Sequence, residues 1–247
     1  MTEHARQIIA IGGEERHDFL QGLVTNEVPT TPGTLVYSAI LTPQGKYLAD
    51  FFMFERDGAL MLDVAEPLAQ GLAQRLTMYR LRRKITIDGI DLPVHRGTGP
   101  APDGAMADPR HTAMGWRGYG DGFTSDDTDW TALRCTHCIP ESDIELVPND
   151  SYILESGFER LNGVDFRKGC YVGQEVTARM KHKTELKKGL ATVEVTGEAP
   201  VGTAITADGK PAGTLFSQAG GLGIAYLRFD RARGVMQADQ ATLTLPD

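Results

Sequence analysis

Apolar and polar positions in the first third of the chain alternate in a way that predicts several strands and two helices. Residues 14–23 and the stretch after Pro67 have helical spacing, and in the latter Leu68, Leu72 and Leu76 recur at i, i+4 and i+8. Residues 7–11 form a short apolar run, and the strand candidates are residues 35–41, 46–54, 59–63 and 85–87, the last closed by Asp88 and Gly89. Several strands, then a helix, then a strand favour an α+β layer over a doubly wound parallel sheet.

The middle of the chain is less regular. Residues 97–108 are rich in Gly, Pro and Ala and predict a loop, and a strand is expected around Trp116. Trp130, Leu133 and His137 share one face of a predicted helix. The aspartates ahead of that helix are interpreted as caps and solvated charge; they are Asp126, Asp127 and Asp129.

Beyond Gly189 the pattern changes to short, closely spaced apolar segments with glycine between them. The strand candidates are residues 190–195, 204–207, 213–217, 222–227 and 241–245. This spacing predicts a small β-barrel. We therefore divide the chain into an α+β region, 1–189, and a barrel, 190–247, which is marginally stable alone and is expected to dock on the rest.

A further helix is predicted after Gly173. Val172, Val176 and Met180 recur at i, i+4 and i+8 and fall on one face. The opposite face is polar and carries Glu175, Arg179 and His182.

Cys170 lies just before this helix, in the run Lys168-Gly169-Cys170-Tyr171. A helix N-terminus favours negative charge, and Arg167 and Lys168 add positive charge nearby. These surroundings favour the thiolate form and predict a reactive cysteine. The structural alternative is a small apolar residue that fills a gap in a glycine-framed turn.

Composition is that of an ordinary soluble globular protein, with 247 residues, 41% hydrophobic and 23% charged. The sequence contains no apolar run of about 18 residues, so no membrane span is predicted. Residues 1–6 lack the apolar core of a signal peptide. Three cysteines cannot all pair within the chain, which fits a reducing compartment, and the cytoplasm is expected.

The net charge of −8 argues against broad nucleic-acid binding, but two segments are strongly basic. The first contains Arg80, Arg82, Arg83 and Lys84. The second contains Arg179, Lys181, His182, Lys183, Lys187 and Lys188. Both are interpreted as solvated faces or, alternatively, as a site for an anion.

Cys135 and Cys138 have the spacing of a metal-binding or redox pair. A zinc site needs four ligands, and neither a second Cys pair nor a His pair accompanies them. We therefore interpret both as incidental cysteines at a helix end, with no metal site expected.

The residues from Lys168 to Glu175 read K-G-C-Y-V-G-Q-E, which resembles the K-G-C-Y-x-G-Q-E signature of the folate-binding YgfZ family. That family is related to the aminomethyltransferase (T protein) of glycine cleavage. Residues 18–27 and 38–46 are also similar to family blocks, and Arg179 falls where the family usually has an arginine.

The resemblance implies two interleaved α+β (ferredoxin-like) subdomains plus a small C-terminal β-barrel, arranged around a folate pocket. It also implies a function: support of iron–sulfur cluster synthesis or repair, with effects on enzymes such as tRNA methylthiotransferases. The implied cofactor is tetrahydrofolate or a derivative, and the implied partners are iron–sulfur proteins or assembly factors.

Site residues follow from the same resemblance. Residues 147–157 are similar to a T-protein stretch whose glutamate holds the pterin, which makes Glu155 the pterin-binding candidate, although Ile153 replaces an arginine of that stretch. The implied catalytic residues are Cys170, Lys168 and Asp50. The implied folate-binding residues are Glu155, Thr25, Asn26, Tyr171, Gln174, Glu175 and Arg179.

Two other functions stay open. The T protein has an Asp-Asp pair where this chain reads Ala49-Asp50, and Asp50 alone could act as the base of a folate-dependent one-carbon transferase. The third reading is a folate-sensing binding protein without turnover.

Overall fold

The computed structural model describes residues 4–182 and 185–246. Its helices are α1 (Arg16–Gln21), α2 (Glu66–Arg80), α3 (Trp130–His137) and α4 (Gln174–Lys181), with a 3-10 turn at Thr112–Met114. Its strands are β1 (Arg6–Gly12), β2 (Val36–Leu41), β3 (Tyr47–Arg56), β4 (Ala59–Ala65), β5 (Thr86–Ile90), β6 (Val94–Gly97), β7 (Met106–Ala107), β8 (Trp116–Tyr119), β9 (Lys188–Thr196), β10 (Thr203–Ala207), β11 (Lys210–Ala219), β12 (Leu222–Arg228), β13 (Met236–Ala238) and β14 (Ala241–Thr244). None of these helices is long and apolar enough to cross a bilayer.

The N-terminal sheet has the strand order β2-β3-β4-β1-β5, with antiparallel pairs throughout. Its faces pack against different layers, because successive side chains of a strand point to opposite sides. Phe51 and Met53 pack with Leu72 and Leu76 of α2, whereas Phe52 packs on the other face. Burial of both faces explains why β3 reads as a nearly continuous apolar run.

β5 corrects one sequence prediction. Asp88 and Gly89 do not end the strand but lie within it, opposite Ala10 and Ile9 of β1. Pairing with the sheet overrides the turn preference of an Asp-Gly pair.

A second, three-stranded sheet has the order β6-β8-β7. The strand predicted around Trp116 is confirmed, but the predicted loop 97–108 contains the short strand β7. Two residues are too few to produce a recognisable alternation.

The C-terminal barrel closes through six strands in the order β10-β11-β12-β9-β14-β13. Five of them fall on the predicted segments, and β13 was missed because only Met236–Ala238 form it. The first barrel strand begins at Lys188, slightly before the expected boundary, and the domain division itself stays a prediction.

The barrel docks on the rest of the protein through α3, as its small size required. The buried Arg134 of α3 donates to Ser217 of β11 at 3.1 Å and to Glu145 at 3.1 Å. Glu145 also accepts the backbone N–H of Ser217 at 3.1 Å. A buried ion pair of the α+β region is therefore hydrogen-bonded to the barrel at Ser217.

Candidate functional site

The signature loop, residues 168–173, joins α4 at a position where only glycine fits. Gly173 has φ 86°, and a Cβ on it would lie 2.5 Å from the carbonyl oxygen of Thr42. Gly45 in the same hairpin turn has φ 74°, and a Cβ there would lie 2.7 Å from Cβ of Val176. The N-terminus of α4 is therefore packed directly on the β2–β3 turn.

Lys168 anchors the loop from within. Its buried ammonium donates to the carbonyl oxygens of Gln21 at 2.8 Å and Val24 at 2.5 Å, just beyond the end of α1. Burial lowers the pKa of Lys168 to about 8, although the charges of Glu27 and Asp165 act in the opposite direction. The structure thus shows that Lys168 holds the loop on the end of α1, whereas the sequence suggested that its positive charge stabilises the Cys170 thiolate. A catalytic role of Lys168 stays a prediction.

Residues on the other side of Cys170 are also fixed. Tyr171 is buried in the core, and the N–H of Val172 donates to the carbonyl oxygen of Gly22 at 3.3 Å. Gly169 and Cys170 are exposed between these two anchors. The loop therefore presents the thiol to solvent from a held backbone.

The exposed and buried faces of α4 agree with those that the sequence predicted. Glu175 and Arg179 are exposed, and Val176 and Met180 are partly buried. Thr177, which the spacing did not single out, is the buried residue of the helix. Gln174 is half-buried, and its backbone N–H donates to the carbonyl oxygen of Tyr171 at 3.2 Å.

The other two cysteines lie at the end of α3, as predicted. Cys135 is buried, which raises the pKa of its thiol to about 11. Cys138 is the αL cap of the helix at φ 50°, and burial raises the pKa of its thiol as well. Among the described residues, no group of three or more His, Cys, Asp or Glu side chains is placed to hold a metal ion.

Asp50 is enclosed by hydroxyl donors. Its carboxylate accepts from the hydroxyls of Tyr47 at 2.6 Å, Ser142 at 2.7 Å and Tyr37 at 2.9 Å. Burial and the charge of Asp50 raise the pKa of both tyrosines well above the ordinary value. A buried carboxylate held by three donors is suited to joining β2, β3 and the segment around residue 142.

Thr25 and Asn26 also join separate segments of the fold through hydrogen bonds. The buried Thr25 hydroxyl donates to the carbonyl oxygen of Gly163 at 2.7 Å and accepts from the N–H of Ala39 at 2.9 Å. The Asn26 amide donates to the carbonyl oxygens of Tyr37 at 3.0 Å and Asn162 at 2.7 Å.

Glu155 lies in a cavity of about 640 Å³ between the α+β region and the barrel. Tyr226 of β12 donates its hydroxyl to the Glu155 carboxylate at 2.7 Å, and burial with that bond raises the pKa of Tyr226. The Lys46 ammonium lies 3.9 Å from the centre of the Tyr152 ring. The cavity thus combines a carboxylate, an aromatic face and lysines.

The predicted pocket is only partly assembled. Lys187 and Lys188 of the second basic segment line the Glu155 cavity, but its lining includes none of Asp50, Thr25, Asn26, Cys170 or Arg179. The structure thus does not bring Asp50 and the Thr25-Asn26 turn to the cavity that Glu155 lines, and a folate pocket shared by all of them stays a prediction. Lys183 lies outside the described residues.

Sequence reasoning missed a buried ion network between the two sheets. Asp63 of β4 accepts from Arg6 at 2.6 Å, Arg117 at 3.0 Å and Tyr119 at 3.0 Å. Asp108 accepts from Arg117 at 3.2 Å, and Arg110 binds it with two guanidinium nitrogens. The available signal was Asp63 itself, a lone carboxylate in the apolar strand Ala59–Ala65.

A family model described as CAF17, C-terminal beta-barrel domain, matches residues 187–247. The chain is 29% identical over 276 residues to the mitochondrial iron-sulfur cluster assembly factor IBA57 of Mus musculus, covering 93% of this chain and 77% of that protein. The Mycosarcoma maydis IBA57 homolog is 30% identical over 216 residues, with coverage of 74% and 54%. These matches confirm the resemblance of this chain to the IBA57/CAF17 (YgfZ-type) family.

The fold of this IBA57-like protein is shared with the T protein. The crystal structure of glycine cleavage system aminomethyltransferase T from Bartonella henselae matches with a TM-score of 0.75 at 11% identity, over 98% of this chain and 83% of that one. The α+β class with a C-terminal barrel is thereby confirmed. At this identity the likeness concerns the fold alone.

Proposed function

We propose that this protein assists the assembly or repair of iron–sulfur clusters and that Cys170 is the side chain that meets the cluster or its client. Relatives that align over most of the chain bear the name iron-sulfur cluster assembly factor. Cysteine thiolates are the usual protein ligands of such clusters.

The observation that carries the proposal is the exposure of Cys170 between two anchored neighbours. Lys168 is bonded to the end of α1, and Val172 is bonded to Gly22, so the backbone around the thiol is fixed from both sides. Cys135 is buried, and Cys138 is half-buried at a helix end. The thiol best placed for a bulky inorganic cluster or a protein client is that of Cys170.

We further propose that tetrahydrofolate or a derivative occupies the Glu155 cavity. A carboxylate can accept two parallel N–H bonds from an aminopterin edge, and the Tyr152 ring, with the Lys46 ammonium over one face, also lines the cavity. Lys187 and Lys188 suit the carboxylates of a glutamate tail. The cavity volume of about 640 Å³ is in the range of small-molecule sites.

The proposed clients are iron–sulfur enzymes such as tRNA methylthiotransferases, and the proposed compartment is the cytoplasm. A folate-dependent one-carbon transferase is less well supported, because the Asp50 carboxylate that would act as its base is already held by three hydroxyl groups.

Complementation tests the proposal. In cells that lack this protein, the wild type and Cys138→Ser should restore the activity of a tRNA methylthiotransferase, whereas Cys170→Ser should not. The level and melting temperature of the Cys170→Ser protein should equal those of the wild type, because an exposed Cys-to-Ser change removes little packing. Full activity with Cys170→Ser would refute the role of this thiol.

A further inference from the structure

A strained turn follows α2. The N–H of Arg83 donates to the carbonyl oxygen of Arg80 at 2.9 Å, which closes a four-residue turn. Leu81 in its second position has φ 50° and ψ −112°. These angles are those of a type II′ turn, where glycine is preferred because a side chain with positive φ is strained.

The fold does not compensate for this strain. The Leu81 side chain is 85% exposed and Met78 is 75% exposed, the two highest values among the large apolar residues in the described part of the chain. A strained residue whose side chain does not pack against the rest of the protein indicates a role in contact with another molecule.

The surrounding charge is opposite to that of the whole protein. Leu81 lies among four exposed cations, Arg80, Arg82, Arg83 and Lys84, in a chain of net charge −8. Glu15 is the nearby carboxylate; it accepts the N–H of Lys84 at 2.7 Å and lies 4.0 Å from Arg83. We call residues 78–84 the basic tip.

Helix α1 connects the basic tip to the signature loop. Glu15, just before α1, is bonded to Lys84, and Gln21 and Gly22 at the other end are bonded to Lys168 and Val172. A six-residue helix is about 9 Å long, so α1 and the hydrogen bonds at its two ends link the basic tip to the signature loop over a short path. A protein partner covers about 800 Å² on each side of an ordinary interface.

We propose that the basic tip docks the acidic iron–sulfur protein that meets Cys170, with Leu81 and Met78 entering an apolar pocket ringed by carboxylates. This inference rests on the proposed function of Cys170. The two aliphatic side chains favour a protein over a nucleic acid, since bases are bound by aromatic stacking. The connection through α1 to the loop that carries Cys170 favours a protein over a membrane surface.

The test uses the full-length protein and, as probe, a purified acidic [2Fe–2S] carrier protein from the same cells. Arg80→Glu/Arg82→Glu should weaken its binding roughly tenfold or more, and the wild-type affinity should fall as salt is raised. The matched control is Lys210→Glu/Arg233→Glu, which makes the same charge change on exposed barrel residues and should leave affinity unchanged.

Leu81→Gly separates docking from folding. Relief of the positive φ should raise the melting temperature, while loss of the apolar side chain should weaken carrier binding. Val235→Gly, at a side chain that is 60% exposed, should not affect binding. A purely structural turn would gain stability with no loss of affinity, and that result would overturn the inference.

The remaining outcomes are also decisive. If Cys170→Ser abolishes complementation but the tip variants bind the carrier normally, or the wild type does not bind it at all, the docking inference fails and the proposed function stands. Binding of phosphatidylglycerol vesicles that Leu81→Gly abolishes, with carrier binding unchanged, would assign the tip to membranes instead.

Discussion

The ammonium of Lys168 lies 2.5 Å from the carbonyl oxygen of Val24, so a charged group of the signature loop ends inside the protein. A buried cation bonded to two carbonyl oxygens holds the loop on the end of α1. This contact gives the lysine two residues before the exposed cysteine a structural role inside the protein.

Lys168→Met should therefore lower the free energy of unfolding by about 1–3 kcal/mol, because two hydrogen bonds to a charged donor are lost. Urea denaturation measures the change. Arg167→Met, at the exposed neighbour, should stay within about 0.5 kcal/mol of the wild type. Equal stability of the two variants would contradict the anchoring role. In complementation, Lys168→Met should be milder than Cys170→Ser, since it leaves the sulfur in place.

Alkylation should modify Cys170 before Cys135 and Cys138. Cys170 is exposed, and burial raises the pKa of the other two thiols, which keeps them protonated at neutral pH. Mass mapping after partial reaction with iodoacetamide identifies the order, and Cys170→Ser should remove the fast phase. Labelling of Cys170 last would identify it as a protected thiol and count against its proposed role.

Acid should weaken the protein through Asp108. Burial alone would raise the pKa of this carboxyl, but the charges and hydrogen bonds of Arg110 and Arg117 lower it from 3.8 to about 2. A lowered pKa contributes stability that is complete above about pH 4 and is lost as the pH falls towards 2, roughly 2 kcal/mol in all.

Urea midpoints measured between pH 5 and about 2 test this dependence. Asp108→Asn should be less stable at neutral pH and should lose stability less steeply in acid, because its amide does not titrate there. Asp121→Asn, at an exposed carboxyl, is the control and should keep the wild-type slope. Parallel slopes for wild type and Asp108→Asn would show that this ion network does not govern acid stability.

Folates with longer glutamate tails should bind more tightly at low salt, with Glu155 and the lysines at residues 187 and 188 as contacts. Glu155→Gln should weaken every folate, whereas Lys187→Gln/Lys188→Gln should mainly remove the dependence on tail length. Calorimetric titration measures both effects. Arg179→Gln is the informative control: the residue is exposed on α4 and does not line the cavity, although the family resemblance marked it for folate. Affinity that is lost with Arg179→Gln and kept with Glu155→Gln would place folate elsewhere.

Local pattern was enough to predict much of the fold. Leu72 and Leu76 identified α2, and the run before Gly173 and the spacing after it identified the loop and helix that carry Cys170. The pattern failed where pairing decided the outcome, as at Asp88 and Gly89, which read as a turn but lie opposite β1.

The interior of the candidate site could not be predicted in the same way. Lys168 finds its acceptors 147 and 144 residues earlier in the chain, and Asp50 finds Ser142 92 residues later. Such contacts depend on how distant segments meet, which no local spacing records. For this reason the sequence suggested a chemical role for Lys168 and Asp50, whereas in the fold both side chains form buried hydrogen bonds between distant segments.

The Arg134 pair has a consequence for how this architecture can be taken apart. A guanidinium from α3 is hydrogen-bonded to the barrel at Ser217, and separation at residue 187 would remove Ser217 from both Arg134 and Glu145. The sequence boundary of the barrel therefore does not coincide with the limit of the contacts that stabilise it, which extend to α3. Exchange of barrels between relatives should succeed only when helix and barrel travel together, even though residues 187–247 are recognisable by themselves.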